Sequence, residues 1–506
     1  MKPRYYQPEL AAATGFVTVD IGIFGATSAG FSAALQASRM GKKVVILEAG
    51  GHLGGMTTGG LSRTDSGRKH LVGGIAREVY RAFGKPYGRE EEWLFEPRVA
   101  RRVFEEWLRD AGVPVYFHQY LKAVRKEGER LTEVVTESGL RLAAKIFIDA
   151  SYEGDLMAAA GASFTTGREG NRRYGELYNG SFVSLHHQFD RHVDPYVVPG
   201  DPSSGLLPGI EAGPLTSPAE PDHRIQAYNF RLCVTREASN RIPFEKPEGY
   251  DPMEYELLAR FFQKGWEEHF MRFDPIAGHK VDMNNYGPVS TDYIGGNFGW
   301  PQGSYAEREA IFQDHVRYQK GLLWFRCHDP RVPKEAREAL NAWGLAKDEF
   351  SETGGWPPQL YIREARRLLA EVVMTDHHCL GIEAVDDPVA VASYQMDSHN
   401  CRRFVQNGRV LNEGDVQVRV RPYGISYRSI VPLRREVGNL LVPVCLAASH
   451  IAYGSIRMEP VFMVLGQSAA TAAVLAIDHR VALHDLPFEE LRAQLEKDGQ
   501  VLDPSA

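Results

Sequence analysis

The hydrophobic pattern is sharpest near the start of the chain. Residues 17–24, Val-Thr-Val-Asp-Ile-Gly-Ile-Phe, are largely apolar and β-branched and break at Gly25. After Gly30, small residues fall at helical spacing through Ala33, Ala34 and Ala37 until Gly41, and a second apolar run at 44–47 ends on Glu48. Strand, tight glycine turn, helix, strand, acid is the order of the first βαβ unit of a dinucleotide-binding fold. Gly25 permits the turn, Gly30 lets the helix pack close to the strand, and the helix N-terminus offers amides and partial positive charge to a pyrophosphate. Glu48 falls where a carboxylate accepts hydrogen bonds from an adenosine ribose. The middle glycine of the G-x-G-x-x-G fingerprint is Thr27 here, which offers a hydroxyl instead of bare backbone.

Further along, the spacing at 98–111 predicts an amphipathic helix. Short runs at 113–117, 123–126, 131–136 and 141–148 predict a small meander that closes with a buried strand ending at Asp149. A turn and a short helix are expected over 152–161. Between 167 and 428 Pro, Gly, aromatic residues and His become frequent, and 197–222 reads as loop. Residues 317–325 and 361–374 have helical patterning, whereas 393–399 and 423–427 read as strands or loops facing a site. The apolar run 439–444 returns to the opening pattern. Residues 447–460 read as a turn, and a helix of small and apolar residues follows with Pro460 at its first position. Residues 486–497 read as a surface helix.

A second glycine cluster follows Glu48: Gly50, Gly51, Gly54, Gly55, Gly59 and Gly60. So many glycines cost chain entropy unless the backbone must take unusual angles or lie against something flat. A glycine segment that passes under a pyrophosphate and reaches a redox ring is a feature of two-dinucleotide-domain FAD proteins and not usually of nicotinamide enzymes. FAD is therefore the expected cofactor. The expected fold class is α/β: a discontinuous Rossmann-like FAD-binding domain at 15–166 and 429–480, an inserted α+β substrate or cap domain at 167–428, and a C-terminal surface helix and tail at 481–506.

Composition narrows the class. A chain of 506 residues, 43% hydrophobic with a net charge of −7, suits a large globular enzyme of two or more domains and argues against nucleic acid as the main partner. No run reaches the roughly 18 apolar residues of a membrane span, and the first ten residues lack the apolar core of a signal peptide. The five cysteines are scattered without a C-x-x-C, which suits reduced thiols in a cytoplasm and no metal site. His186-His187 and His377-His378 are adjacent pairs, and neighbours point apart on helix or strand, which disfavours a shared metal.

With these motifs the chain resembles the FAD-dependent oxidoreductases of the fumarate-reductase/succinate-dehydrogenase-like superfamily often labelled xanthan-lyase-like. The resemblance is carried by residues 25–30 (GATSAG), 52–61 (HLGGMTTGGL), 149–157 (DASYEGDLM), 290–292 (STD), 361–367 (YIREARR) and 449–460 (SHIAYGSIRMEP). It implies non-covalent FAD and a cofactor domain interrupted by a substrate domain. Thr27 fits that family's pattern. It implies no particular substrate.

The segments expected to border the cofactor contribute Gly25, Thr27, Ala29, Gly30, Glu48, Gly54, Gly55, Met56, Thr57, Ala150, Asp155, Glu459 and Met463. His450 and Arg457 precede the helix expected to point at the flavin, so His450 is the first choice as acid/base and Arg457 as a charge stabiliser. His52, between ribose acid and flavin loop, is the third catalytic candidate. Arg363 is a candidate for an anionic substrate, and Asp397 and His399 are candidates contributed by the cap. The expected activity is hydride transfer between a polar small molecule, a sugar or sugar acid among the candidates, and flavin N5, with an electron acceptor the sequence does not name. The alternatives are a FAD-containing lyase without net redox change and a non-catalytic flavin-binding protein.

Overall fold

The computed structural model describes residues 2–265 and 271–506. Its first sheet is assembled around β1 (Gly15–Phe24), which runs parallel to β2 (Val44–Leu47) on one side and to β6 (Leu140–Asp149) on the other. Phe24 is in register with both Leu47 and Asp149, so the Gly25 turn, Glu48 and Ala150 leave the sheet at one edge. Ligands of open α/β sheets bind at such a carboxyl edge. The last four residues of β1, all of β2 and the last four of β6 are buried, as strands covered by helices on both faces must be. The strand β3 (Val115–Tyr116) pairs parallel with β2, while β4 (Leu121–Glu127) and β5 (Arg130–Thr136) form an antiparallel meander with β6. The short β7 (Leu440–Leu441) returns from far down the chain to lie parallel to β6.

Helix α1 (Ser28–Arg39) ends where the sequence predicts, with Met40 as its C-cap and Gly41 at φ +79°. It crosses α3 (Glu459–His479) very closely. A Cβ at Gly466 would lie 2.2 Å from the Ala29 carbonyl oxygen, and Ser32 Oγ donates to the Met463 carbonyl at 2.7 Å. By length and composition α3 could cross a membrane, against the expectation that no segment would, but its apolar residues are buried in this core.

The middle of the chain builds a five-stranded antiparallel sheet from Leu232–Thr235, Arg241–Ile242, Met271–Ile276, Lys280–Asn285 and Gly344–Ala346. Beside it runs the helix Tyr305–His328, opened by a reciprocal cap between Ser304 and Glu307. It is far longer than the predicted 317–325.

Three expectations need correction. Residues 361–374 are not helical: they run irregularly into a two-residue strand, Arg367–Leu368, paired with Phe164–Thr165. A helix would put Arg363, Arg366 and Arg367 on adjoining faces, whereas here each is drawn to a different buried carboxylate: Asp292, Asp155 and Glu169. Residues 447–460 hold a helix, α2 (His450–Ile456), instead of a turn. Ser449 caps it, and Gly454 lets it pack on Asp397, whose carbonyl oxygen lies 2.8 Å from where a Cβ would stand. Finally, the 113–117 segment joins β2 and not the meander.

Candidate functional site

Two cavities flank residues 358–363. The first, about 230 Å³, lies at the carboxyl edge of the first sheet and is lined by Gly25, Ala26, Thr27, Glu48, Gly55 and Glu153 among others. Gly25 sits at φ +100°, and a Cβ there would fall 2.5 Å from the Ser151 amide nitrogen. At Gly30 a Cβ would fall 2.0 Å from the Gly25 carbonyl oxygen, so neither position accepts another residue. Thr27 caps α1: its Oγ1 accepts from the Gly30 amide at 3.3 Å and donates to the Ala150 carbonyl at 2.7 Å. The sequence's departure from a middle glycine thus ties the turn to the end of β6.

Glu48 accepts from the amides of Ala26 and Gly50, both at 2.6 Å, and burial raises its carboxyl above the ordinary value against these two bonds. Burial also pushes Glu153 up to about 7, opposed by Arg308, and Asp149 up to about 6, opposed by Ser151 and the Met157 amide. Gly54, at φ +99°, donates its amide to Ala26 at 2.6 Å and leads the glycine segment back under the turn.

An N-terminal strap forms one wall of this cavity. Lys2, Arg4, Tyr5, Gln7 and Leu10 line it. Glu309 fixes the strap by accepting from the amides of Tyr5 (2.6 Å) and Tyr6 (2.9 Å), and the Gln7 amide donates to Tyr120 Oη at 2.7 Å. Tyr5 packs edge-on to Trp300, and its hydroxyl reaches Glu153 at 3.2 Å.

These groups suit a dinucleotide: a carboxylate at the end of β2 for a ribose, and leading helix amides that no intrahelical carbonyl reaches for a diphosphate. The space is short, since small-molecule sites usually span roughly 300–1,000 Å³. A dinucleotide placed here would extend beyond this cavity.

The second cavity, about 710 Å³, is polar and wider. Distant pieces of chain near residues 65, 187, 231, 285, 363, 397 and 415 meet there. His399 Nδ1 lies 2.7 Å from Asp292 Oδ2 and its Nε2 3.4 Å from Asp397 Oδ2. Arg363, fully buried, pairs with Asp292 at 2.9 Å and stacks over the Tyr361 ring at 4.7 Å. Arg231 makes a two-pronged pair with Asp282, at 2.9 and 2.8 Å. His187 Nδ1 lies 3.0 Å from Asp415, and although burial works against its charged form, that carboxylate raises its pKa. Asp292 and Asp397 are held below the usual carboxylate range: burial opposes this, and Arg363 and His399 for the first, His399 and Arg457 for the second, outweigh it. Burial raises Asp65, against the pull of Arg231.

The expected residues divide between these places. Gly25, Thr27, Glu48, Gly55, Asp155 and His52 line the first cavity. His52 belongs to the end occupied by Glu48; its Nε2 is 2.7 Å from Thr58 Oγ1, and burial, followed by Arg101, pulls it down to about 4. Asp155 is spent on Arg308 and Arg366, at 2.6 and 2.7 Å. Ala29, Gly30, Gly54 and Ala150 shape the turn from behind. Glu459 does not line the cleft: it accepts from Thr57 Oγ1 at 2.6 Å and from Tyr152 Oη at 2.7 Å, while Tyr152 Oη accepts from the Met56 amide. Met463 is buried where α3 meets α1.

His450 lines neither cavity. Its Nδ1 is 2.9 Å from Glu364, its Nε2 3.0 Å from Ser398 Oγ, and its amide donates to Glu169, which saturates it inside a buried network. Arg457 stands just behind the second cavity, donating to Tyr361 Oη at 2.9 Å and to Asp397 Oδ2 at 3.1 Å, not paired with Glu459. Arg363, Asp397 and His399 do line the second cavity. Sequence reasoning did not single out Arg231, Tyr394 or the strap: Arg231 is defined by Asp282, 51 residues on, the strap by Glu309, some 300 residues away, and Tyr394 stands unmarked within the 393–399 stretch. The three carboxylates Glu96, Asp348 and Glu349 that approach one another closely are filled by Lys280 Nζ at 2.7–2.8 Å.

Solved structures of oxidoreductases are similar to part of this chain. An L-proline dehydrogenase from P. horikoshii is 22% identical over 32% of this chain and 26% of its own, with a TM-score of 0.19. A flavin-containing monooxygenase from Stenotrophomonas maltophilia is 20% identical over 30% of this chain and 42% of its own (TM-score 0.22). A thioredoxin reductase from Streptococcus pyogenes MGAS5005 is 23% identical over 31% and 40% (TM-score 0.18). The chain thus spans less than half the length of each. Among curated proteins none matches. The model of the FAD dependent oxidoreductase family, by contrast, matches residues 20–495, and the chain belongs to that family: it is an enzyme that uses FAD.

Proposed function

We propose that this oxidoreductase oxidises or reduces a polar small molecule held in the 710 Å³ cavity. When bound, FAD supplies the two-electron chemistry by exchanging a hydride with a substrate carbon. One observation carries the reading. Pro358, Gln359 and Leu360 line the dinucleotide cleft, and Tyr361 and Arg363 line the polar cavity, so a single short segment borders both. Glu48, Thr27 and the leading amides of α1 hold the dinucleotide.

His399, rather than His450, is the acid/base. It lines the polar cavity with Nδ1 2.7 Å from Asp292 and Nε2 3.4 Å from Asp397, so a substrate hydroxyl that takes the place of Asp397 at Nε2 exchanges its proton there while Asp292 holds the ring. Arg363 in turn fixes Asp292. Arg457 is a positioning residue that acts through Tyr361 and Asp397. The xanthan-lyase-like label and its elimination chemistry stand as the rival reading.

Anaerobic addition of saccharides, polyols and hydroxy acids to the holoenzyme tests this. One class should bleach the flavin absorbance, and His399→Asn should slow bleaching by roughly 10²–10⁴-fold with FAD content unchanged. Turnover of a saccharide with the flavin oxidised throughout would establish elimination instead, and unaltered bleaching in H399N would remove His399 from the proton transfer.

A further inference from the structure

The charges around the polar cavity come in closed sets. Arg231 is matched by Asp282, Arg363 by Asp292, Arg457 by Asp397 and Arg272 by Asp274, at 2.8–3.1 Å. Three further carboxylates line the cavity: Asp415, facing His187, Asp190, 3.7 Å from Arg191, and Asp65, which lies in the field of the already paired Arg231 and is hydrogen-bonded by Tyr394. Asp274 is shared by Arg272 and Arg63 and His399 lies between Asp292 and Asp397, so among the described residues each arginine lining the cavity already has a carboxylate within 2.9 Å. The paired aspartates are nearly all buried, so these pairs are not loosely held surface bridges that an incoming anion could exchange.

Between the ion pairs the lining offers uncharged groups. The side-chain amides of Asn285 and Gln395 and the hydroxyl of Tyr286 have no hydrogen-bond partner among the described residues, and each can donate or accept. The Tyr286 ring, 41% exposed and edge-on to His187 at 5.8 Å, adds an aromatic face at the cavity. Free amides, a free phenol, paired charges and an aromatic face match a ligand with many hydroxyls, apolar C–H faces and no charge.

We propose that the cavity binds an uncharged saccharide or polyol and discriminates against the carboxylated counterpart of the same molecule. The proposal rests on the reading of this cavity as the substrate site and specifies its substrate class. A carboxylate entering here meets Asp65, Asp190 and Asp415, while the arginines lining the cavity are already paired, and like charges brought together across an interface are unfavourable.

The test measures binding and redox separately on the holoenzyme. Calorimetric titration compares neutral mono- and disaccharides and alditols with their matched uronic and aldonic acids, glucose with glucuronate and glucitol with gluconate among them. The expected result is that a neutral member binds and its acid partner binds at least about tenfold more weakly. Asp65→Asn should narrow that ratio by improving the acid, and Asp415→Asn should do the same. Equal or tighter binding of the acids, or no binding by any neutral member, overturns the proposal. The flavin absorbance of the same samples is read anaerobically: neutral ligands that bind without bleaching sink the redox reading and leave this one standing. Bleaching by the acids alone does the reverse.

Discussion

The two cavities on either side of residues 358–363 are built by opposite means. The dinucleotide cleft is made of backbone: a turn at Gly25, the leading amides of α1 and the glycine segment after Glu48, drawn together by parallel strands whose ends coincide. The polar cavity is made of side chains from segments near residues 65, 187, 231, 285, 363 and 397, held by buried ion pairs. Backbone sites tolerate almost no added atom but are indifferent to most side-chain chemistry. Side-chain sites tolerate volume but fail when one charge loses its partner.

The largest effect should follow from touching the backbone site. Gly30→Ala places a methyl 2.0 Å from the Gly25 carbonyl oxygen, which neither the turn nor the helix can relieve without parting. Overpacking usually costs about 1–3 kcal/mol, and a backbone clash this close exceeds that range. The variant should come out without flavin, as absorbance of the purified protein will show. Retention of FAD at the wild-type ratio would mean the turn is not the cofactor's cradle.

On the other side, Asp292→Ala strands the buried Arg363 and releases His399. Removing one partner of a buried pair costs about 3–5 kcal/mol. The variant should melt well below wild type and lose substrate-driven bleaching, yet still bind FAD, because none of the Asp292 partners lines the cleft. Its pH response has a defined sign. Asp292 is depressed in the folded state, so the stability it contributes is present above the ordinary carboxylate range and is lost as pH falls through the folded value. The variant should therefore lose more stability at neutral pH than in strong acid.

That contrast explains what was legible in the sequence. Gly25, Thr27, Glu48 and the second glycine cluster announce themselves locally, because a turn and a helix end are made by consecutive residues. The strands 15–24, 44–47 and 140–149 were readable for the same reason. The polar cavity was not. His399 and Asp397 stood out only as polar residues in an irregular stretch, and their partner Asp292 is about a hundred residues away. The pattern YIREARR looked helical because arginine spacing carries no record of where each carboxylate waits; Asp292, Glu169 and Asp155 pull three of its residues apart. His450 looked catalytic by its place before α3, and only the fold shows Glu364 and Ser398 closing off both ring nitrogens.

Glu153 should sharpen the comparison from the cleft side, with a smaller effect. Burial raises its carboxyl to about 7, so this group costs nothing below the ordinary value near 4.5 and progressively destabilises the fold as pH rises towards 7, by about 3 kcal/mol at most. Glu153→Gln should remove that loss. Its melting temperature should exceed wild type above neutral pH and converge with it near pH 4, opposite in sign to Asp292→Ala. Identical pH profiles for wild type and E153Q would show that the carboxyl is not held protonated by its surroundings.

The smallest effect concerns the strap, where the two modes of construction meet. Residues 2–10 line the cleft without contributing to its backbone cradle, and their own charges are weakly held: Arg4 lies 3.5 Å from Glu9 and 3.6 Å from Glu309 with half its side chain exposed. Such exposed pairs contribute little. What the strap adds is a wall anchored through the amides of Tyr5 and Tyr6 on Glu309 and of Gln7 on Tyr120. The strap walls the cleft that would hold the dinucleotide, so deleting it should change rates more than structure. Removing residues 2–10 should raise the FAD dissociation rate by roughly tenfold, about 1.4 kcal/mol, with little change in the bleaching rate once FAD is saturating. Glu309→Gln, which weakens the anchor and keeps the wall, should fall between the two. Unchanged dissociation in both variants would move the gate to the opposite wall, the glycine segment at Gly50 and Gly51.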